Sequence, residues 1–101
     1  MIGSTAKRPR LESVRRIKRT LSGALALPED ALVTVAQLAC LEQGCAPLET
    51  VIGLLRAGEA QVQHKIHKPT DEIDANDLVE VCAAWGWSVE TSALESIFKE
   101  N

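Results

Sequence analysis

Tyrosine is missing altogether, and aromatic residues come to only 3%, namely Phe98, Trp85 and Trp87. A core for this chain must therefore be built from Leu, Val, Ile and Ala, within a hydrophobic fraction of 46%. No apolar run approaches the roughly 20 residues of a membrane-spanning helix. No clean apolar segment follows the early basic residues, so a cleavable secretory leader is not expected. Cysteine is scarce and odd in number at three, which fits a reducing cytoplasm better than a disulfide framework. Glycine-rich phosphate loops and the alternating ligand pattern of a calcium loop are also absent. What remains is one domain of 101 residues, long enough to bury roughly 65% of its unfolded surface without covalent staples.

The net charge of -3 conceals a division. Residues 1–27 carry Lys7, Arg8, Arg10, Arg15, Arg16, Lys18 and Arg19 against Glu12, a net +6. Residues 28–101 set four basic residues against thirteen acidic ones, a net -9. Such asymmetry speaks to partners more than to fold.

Residues 1–10 read as a flexible basic tail in which Pro9 biases Arg8 away from helix. Residues 11–101 read as one domain. Leu11, Val14, Ile17, Leu21 and Leu25 recur at threes and fours and predict an amphipathic helix that Pro28 ends. Arg15, Arg16 and Arg19 fall opposite that stripe, with Lys18 near its border. "ALVTVAQLAC" is rich in β-branched residues and reads as a strand, followed by a loop through Gly44 and Pro47. "TVIGLLR" has the continuous apolar character of a central strand, and "AGEA" supplies a tight turn at Gly58. "QVQHKIHK" alternates, with Val62, His64 and Ile66 on one face and Gln61, Gln63, Lys65 and His67 on the other. Asp74 is an N-cap for a helix reaching about Trp85, Gly86 stands at its C′ position, and Ser88 caps a last helix. The expectation is an α+β fold: a three-stranded antiparallel meander with an N-terminal helix and one or two C-terminal helices, in the order α-β-β-β-α-α.

The residue types of a zinc site are present in Cys40, Cys45 and the "HKIH" pair. Residues three apart on a strand face opposite ways, so His64 and His67 cannot both reach one ion. The metal or redox alternative therefore rests on Cys40, Cys45 and His64, with zinc as the cofactor. The competing reading is that both cysteines are small packing residues at a strand end and a loop, and that no cofactor is used. Cys82 lies on an apolar helical stripe as core filler. No cysteine shows the histidine base and orienting third group that nucleophilic catalysis needs, so an enzyme is not expected. The acids of "TDEIDAND" complement a helix dipole.

The basic segment carries the main functional reading. Lys7, Arg8, Arg10, Arg15, Arg16, Lys18 and Arg19 are the candidate contacts for an acidic partner, either protein or nucleic acid, through residues 7–19. The same pattern is shared by nuclear-localisation clusters, membrane-surface helices and organelle presequences. It also fits a helix lying over the acidic body of its own chain.

The α-β-β-β-α order resembles the connectivity of double-stranded-RNA-binding domains. Their second helix opens with basic residues, whereas "PTDEIDANDLVE" opens with acids that repel RNA. The two last helices around "WGWS" are similar to a helix-turn-helix, yet "VETSALESIFKE" sets Lys99 against Glu90, Glu95 and Glu100, which disfavours groove entry. A closer likeness runs through Cys40, Glu42, Gly44, Cys45, Pro47, Glu49 and Thr50, and then Lys65, Ile66, His67, Lys68 and Pro69. These stretches resemble a group of short uncharacterised bacterial proteins with Cys-x-Glu-x-Gly-Cys-Pro-Pro-x-Glu-Thr and Lys-Ile-His-Lys-Pro segments; Ala46 replaces the first proline of the group. The resemblance covers roughly half the chain and implies a bacterial, cytoplasmic protein without implying a reaction. It also draws Glu49, Thr50, Lys65, His67 and Lys68 together as a candidate anion or partner loop.

Overall fold

A computed structural model of the chain describes residues 10–39 and 48–100. Lys7, Arg8, Cys40 and Cys45 lie outside the described residues, as does nearly all of the tail expected over residues 1–10.

Helix α1 spans Leu11–Ala24. Its stripe becomes core only from the second turn. Ile17, Thr20 and Leu21 are buried, whereas Leu11 in the first turn stays 62% exposed. The helix closes with bonds from Ala26 N to Gly23 O and from Leu27 N to Ser22 O, the paired bonds of a Schellman motif. That geometry puts a left-handed residue at C′, and here it is Ala26 at φ 49. The helix thus stops before Pro28, at a position where an L side chain crowds the following carbonyl. Ala26→Gly is expected to stabilise the domain by about 0.5–1 kcal/mol. Thermal denaturation should show this as a rise of a few degrees.

Strands β1 (Leu32–Ala39), β2 (Leu48–Leu55) and β3 (Val62–Ile66) form the expected antiparallel meander in the order β1-β2-β3. Val35 pairs with Ile52, and Ile52 with His64. Period-two alternation then sends Val33, Ile52, Leu54 and Ile66 to one buried face. Leu32, Thr34, Ala36, Leu38, Val51, Gly53, Lys65 and Gln63 stand on the other. β2 begins two residues before the run expected from Thr50, because Glu49 and Leu48 pair with Leu38 and Ala39 of β1.

After a short 3-10 turn at Thr70–Glu72, helix α2 spans Ala75–Ala84 and helix α3 spans Thr91–Glu100. Asp74 caps α2 as expected. α2 also ends on a Schellman pair, Gly86 N to Ala83 O and Trp87 N to Cys82 O, with Gly86 at φ 96 supplying the left-handed residue. α3 starts at Thr91, three residues after the cap expected at Ser88. α1 lies over β1, α2 over β3, and α3 packs against both helices. The core between them includes Ile17, Leu21, Ile52, Leu54, Leu78, Val81, Cys82 and Leu94. The helices therefore cover one sheet face, and α1 turns its basic side outward.

Candidate partner-binding site

Helical spacing builds the basic surface. Arg15, Lys18, Arg19 and Ser22 stand at i, i+3, i+4 and i+7, which stacks them on one side of α1. Among the described residues they line a shallow depression of ≈ 380 Å³. A second one of ≈ 220 Å³ is lined by Glu12, Arg15, Arg16 and Arg19. Arg15 and Arg19 are exposed and Lys18 is half-buried.

The cations of this segment divide into two sets. Arg10 reaches Asp71 at 3.6 Å, and Ser13 Oγ donates to the same carboxylate at 2.7 Å. Both charged side chains of that pair are solvent-exposed, so it contributes about 0–1 kcal/mol. Arg16 is drawn inward, with its guanidinium 5.2 Å from the Phe98 ring and Glu12 at 4.0 Å one turn earlier. Arg16 thus acts partly as a clamp between α1 and α3, and the uniform outward arginine face expected from the sequence is broken there. Arg15 and Lys18 make no ion pair with any described residue.

The motif residues on the sheet come together, but mostly with one another. The ladder sets Thr50 against Ile66, which brings Glu49 opposite His67 on the face away from the helices. Glu49 is nearly buried, its side chain 10% exposed, with Lys65 Nζ at 3.3 Å and His67 Nδ1 at 3.6 Å. Thr50, on the helix side, donates to Lys68 O at 2.8 Å and lies 3.2 Å from Thr70 Oγ1. The Thr70 N–H donates to Gln37 Oε1 at 2.7 Å. Lys68 donates to both Asp77 oxygens, at 2.9 and 3.2 Å. Asp77 also accepts from Asp74 N, while Asp74 accepts from Asp77 N, a reciprocal capping box. The Asp77 hydrogen bond raises the Lys68 pKa. The Asp77 backbone N–H holds the Asp74 carboxyl below its ordinary value. Lys65, His67 and Lys68 thus face Glu49 and Asp77 and tie the end of β3 to β2 and to the start of α2.

Thr50→Val keeps the shape but leaves the Lys68 carbonyl and Thr70 hydroxyl short of a partner inside the domain. Such a loss costs about 1–3 kcal/mol. Lys65→Ala, which removes half of an ion pair with an exposed cation, should cost no more than about 1 kcal/mol. Urea unfolding of both variants checks the order.

His64 projects to the helix side of β3 as its alternation requires, and its Nε2 lies 2.7 Å from Glu80 Oε2. Cys40 and Cys45 being outside the described residues, the proposed ligand trio has only His64 placed. Among the described residues no group of three or more His, Cys, Asp or Glu side chains is arranged to hold a metal ion. Cys82 is buried in the core, and desolvation raises its pKa, which keeps it a thiol.

Sequence reasoning missed the arginine-aromatic pairs, Arg16 over Phe98 and Arg56 over Trp87, each at 5.2 Å. The rarity of aromatics was the available signal, since each exposed-edge ring in such a chain is a scarce docking point for a guanidinium. Comparison with protein-family models, curated proteins and solved structures returned no match to the chain. No helix among the described residues is long and apolar enough to cross a membrane.

Proposed function

We propose that this protein is a small non-enzymatic accessory protein of the bacterial cytoplasm whose α1 docks an acidic segment of another protein. The observation that carries this reading is the state of Arg15 and Lys18. The residues from 28 onward carry a net -9, yet no described carboxylate is paired with either cation. Two cations that no described carboxylate pairs, on a chain carrying so much negative charge, are available to an outside anion.

An acidic protein segment fits better than nucleic acid. Glu12 lines the basic face, and Asp71 sits beside Arg10 at its beginning. Those carboxylates interrupt the continuous cationic track that a phosphate backbone prefers. A short acidic peptide can place its charges on Arg15, Lys18 and Arg19 and avoid the gaps. Titration by fluorescence anisotropy separates the two classes, using a labelled polyglutamate peptide, a duplex DNA and a duplex RNA across a salt series. Tighter binding of the peptide at moderate salt supports the reading. Preference for either duplex would transfer it to nucleic acid, and indifference to all three at low salt would remove it.

A further inference from the structure

The two depressions on α1 differ in what a negative charge meets there. The one lined by Glu12, Arg15, Arg16 and Arg19 contains a carboxylate, and its Arg16 is engaged with Glu12 and the Phe98 ring. The other, of ≈ 380 Å³, is lined by Arg15, Lys18, Arg19 and Ser22 and by no acid. Those four residues lie within about 10 Å of helix length. Arg15 and Lys18 make no ion pair with any described residue. The Ser22 hydroxyl, exposed in the last turn of α1, makes no hydrogen bond with one either. Three cations and a free hydroxyl thus surround one small space.

We propose, on the reading of α1 as a docking face, that the group seated in this depression is a phosphate monoester, carried by a phosphoserine in the partner's acidic segment. A carboxylate brings one charge and two oxygens, too few for Arg15, Lys18 and the Ser22 hydroxyl together. A phosphoserine brings a charge of about −1.5 to −2 and three strong acceptor oxygens on one atom. The Arg15 guanidinium forks onto two of those oxygens, while Lys18 adds a point charge. Ser22 donates its hydroxyl to the third, and Arg19 adds positive charge at the border. The negative end of the helix dipole opposes an anion near Ser22, but weakly at an exposed surface. The phosphate therefore sits toward Arg15 and Lys18, with Ser22 at its edge.

The surroundings favour one compact dianion over a run of single charges. Glu12 and Asp71 stand toward the start of α1, and exposed Glu29 and Asp30 follow its end in the chain. A long acidic tract gains from the depression and then meets carboxylates beyond it, where like charges repel. A single phosphate concentrates its charge where the cations are. Duplex nucleic acid fits less well, since each of its phosphates is a diester carrying one charge in a continuous track.

Fluorescence anisotropy with the full chain tests the proposal. The probes are short labelled glycine-glutamate peptides, identical except for phosphoserine, glutamate or serine at the central position. At moderate salt the phosphoserine peptide should bind at least about tenfold tighter than its glutamate counterpart. Ser22→Ala and Lys18→Gln should each shrink that advantage by about threefold or more. Neither side chain is buried, so both variants should melt near the wild-type temperature. Equal affinity for the phosphoserine and glutamate peptides overturns this inference and leaves α1 a docking face for carboxylates. A phosphoserine advantage that both variants leave intact puts the phosphate elsewhere and overturns it too. Failure of both charged peptides to bind removes the docking reading itself and this inference with it.

Discussion

Arg15→Glu combined with Lys18→Glu is expected to abolish recognition of an acidic partner without unfolding the domain. The pair alters the charge of one helix face by four units at sites that make no ion pair with a described residue. Attraction becomes repulsion at two adjacent positions. A loss of about 3 kcal/mol, or roughly two orders of magnitude in Kd, is the scale of such like-charge juxtapositions. Neither side chain is fully buried, so unfolding free energy should stay within about 0.5 kcal/mol of wild type. The contrast with Arg16→Ala is informative. That change removes the contact over Phe98, so it should destabilise the α1-α3 packing as well as reduce positive charge. Equal loss of binding in both variants, with equal loss of stability, would mean that the basic residues act through the fold alone.

The largest effect on stability is expected from Leu21→Ala. Leu21 is fully buried in the cluster with Ile17, Ile52 and Leu94, and α1 touches β1, α2 and α3 through that stripe. Truncation of such a leucine costs about 2–5 kcal/mol, depending on how far the site collapses. A domain of this size has about 5–15 kcal/mol in total, so the variant should unfold at markedly lower urea concentration. If α1 were an arm that folds only on a partner, the midpoint would barely move. Leu11→Ala is the internal control, because that residue is 62% exposed and should change little.

Much of the fold was legible because hydrophobic period and turn chemistry agree along the chain. The apolar stripe of α1, the alternation of "QVQHKIH", the Asp74 cap and Gly86 each pointed to the element observed. The misplaced boundaries have local causes. Ala26 ends α1 in a conformation that sequence rules reserve for glycine, so Pro28 was read as the terminator. Glu49, being polar and next to Pro47, reads as a loop residue ahead of the strand expected from Thr50. It belongs to β2 because its carboxylate lies against Lys65 and His67 of the β3 side, while Thr50 is hydrogen-bonded to Lys68 and Thr70. Those contacts depend on residues about twenty positions away, which periodicity does not see.

The candidate site was legible as a set of charges but not as an arrangement. Helical spacing put Arg15 and Arg19 together correctly, since that is a property of one element. Whether a given cation faces solvent depends on what packs beside it, and nothing in "RRIKR" reveals that Phe98 lies under Arg16. In the same way, Lys65, His67 and Lys68 read as a solvent-facing polar set, yet each has a carboxylate on an adjoining element. The basic face left over is narrower than the composition implied, and its core is Arg15 and Lys18.

The most direct test of that face is backbone amide chemical-shift mapping of the full chain titrated with a polyglutamate peptide at low salt, repeated with the Arg15→Glu/Lys18→Glu variant. Perturbations should centre on residues 10–22, fade with added salt, and vanish in the variant. Shifts that gather elsewhere on the domain, or that persist unchanged in the variant, would contradict the account.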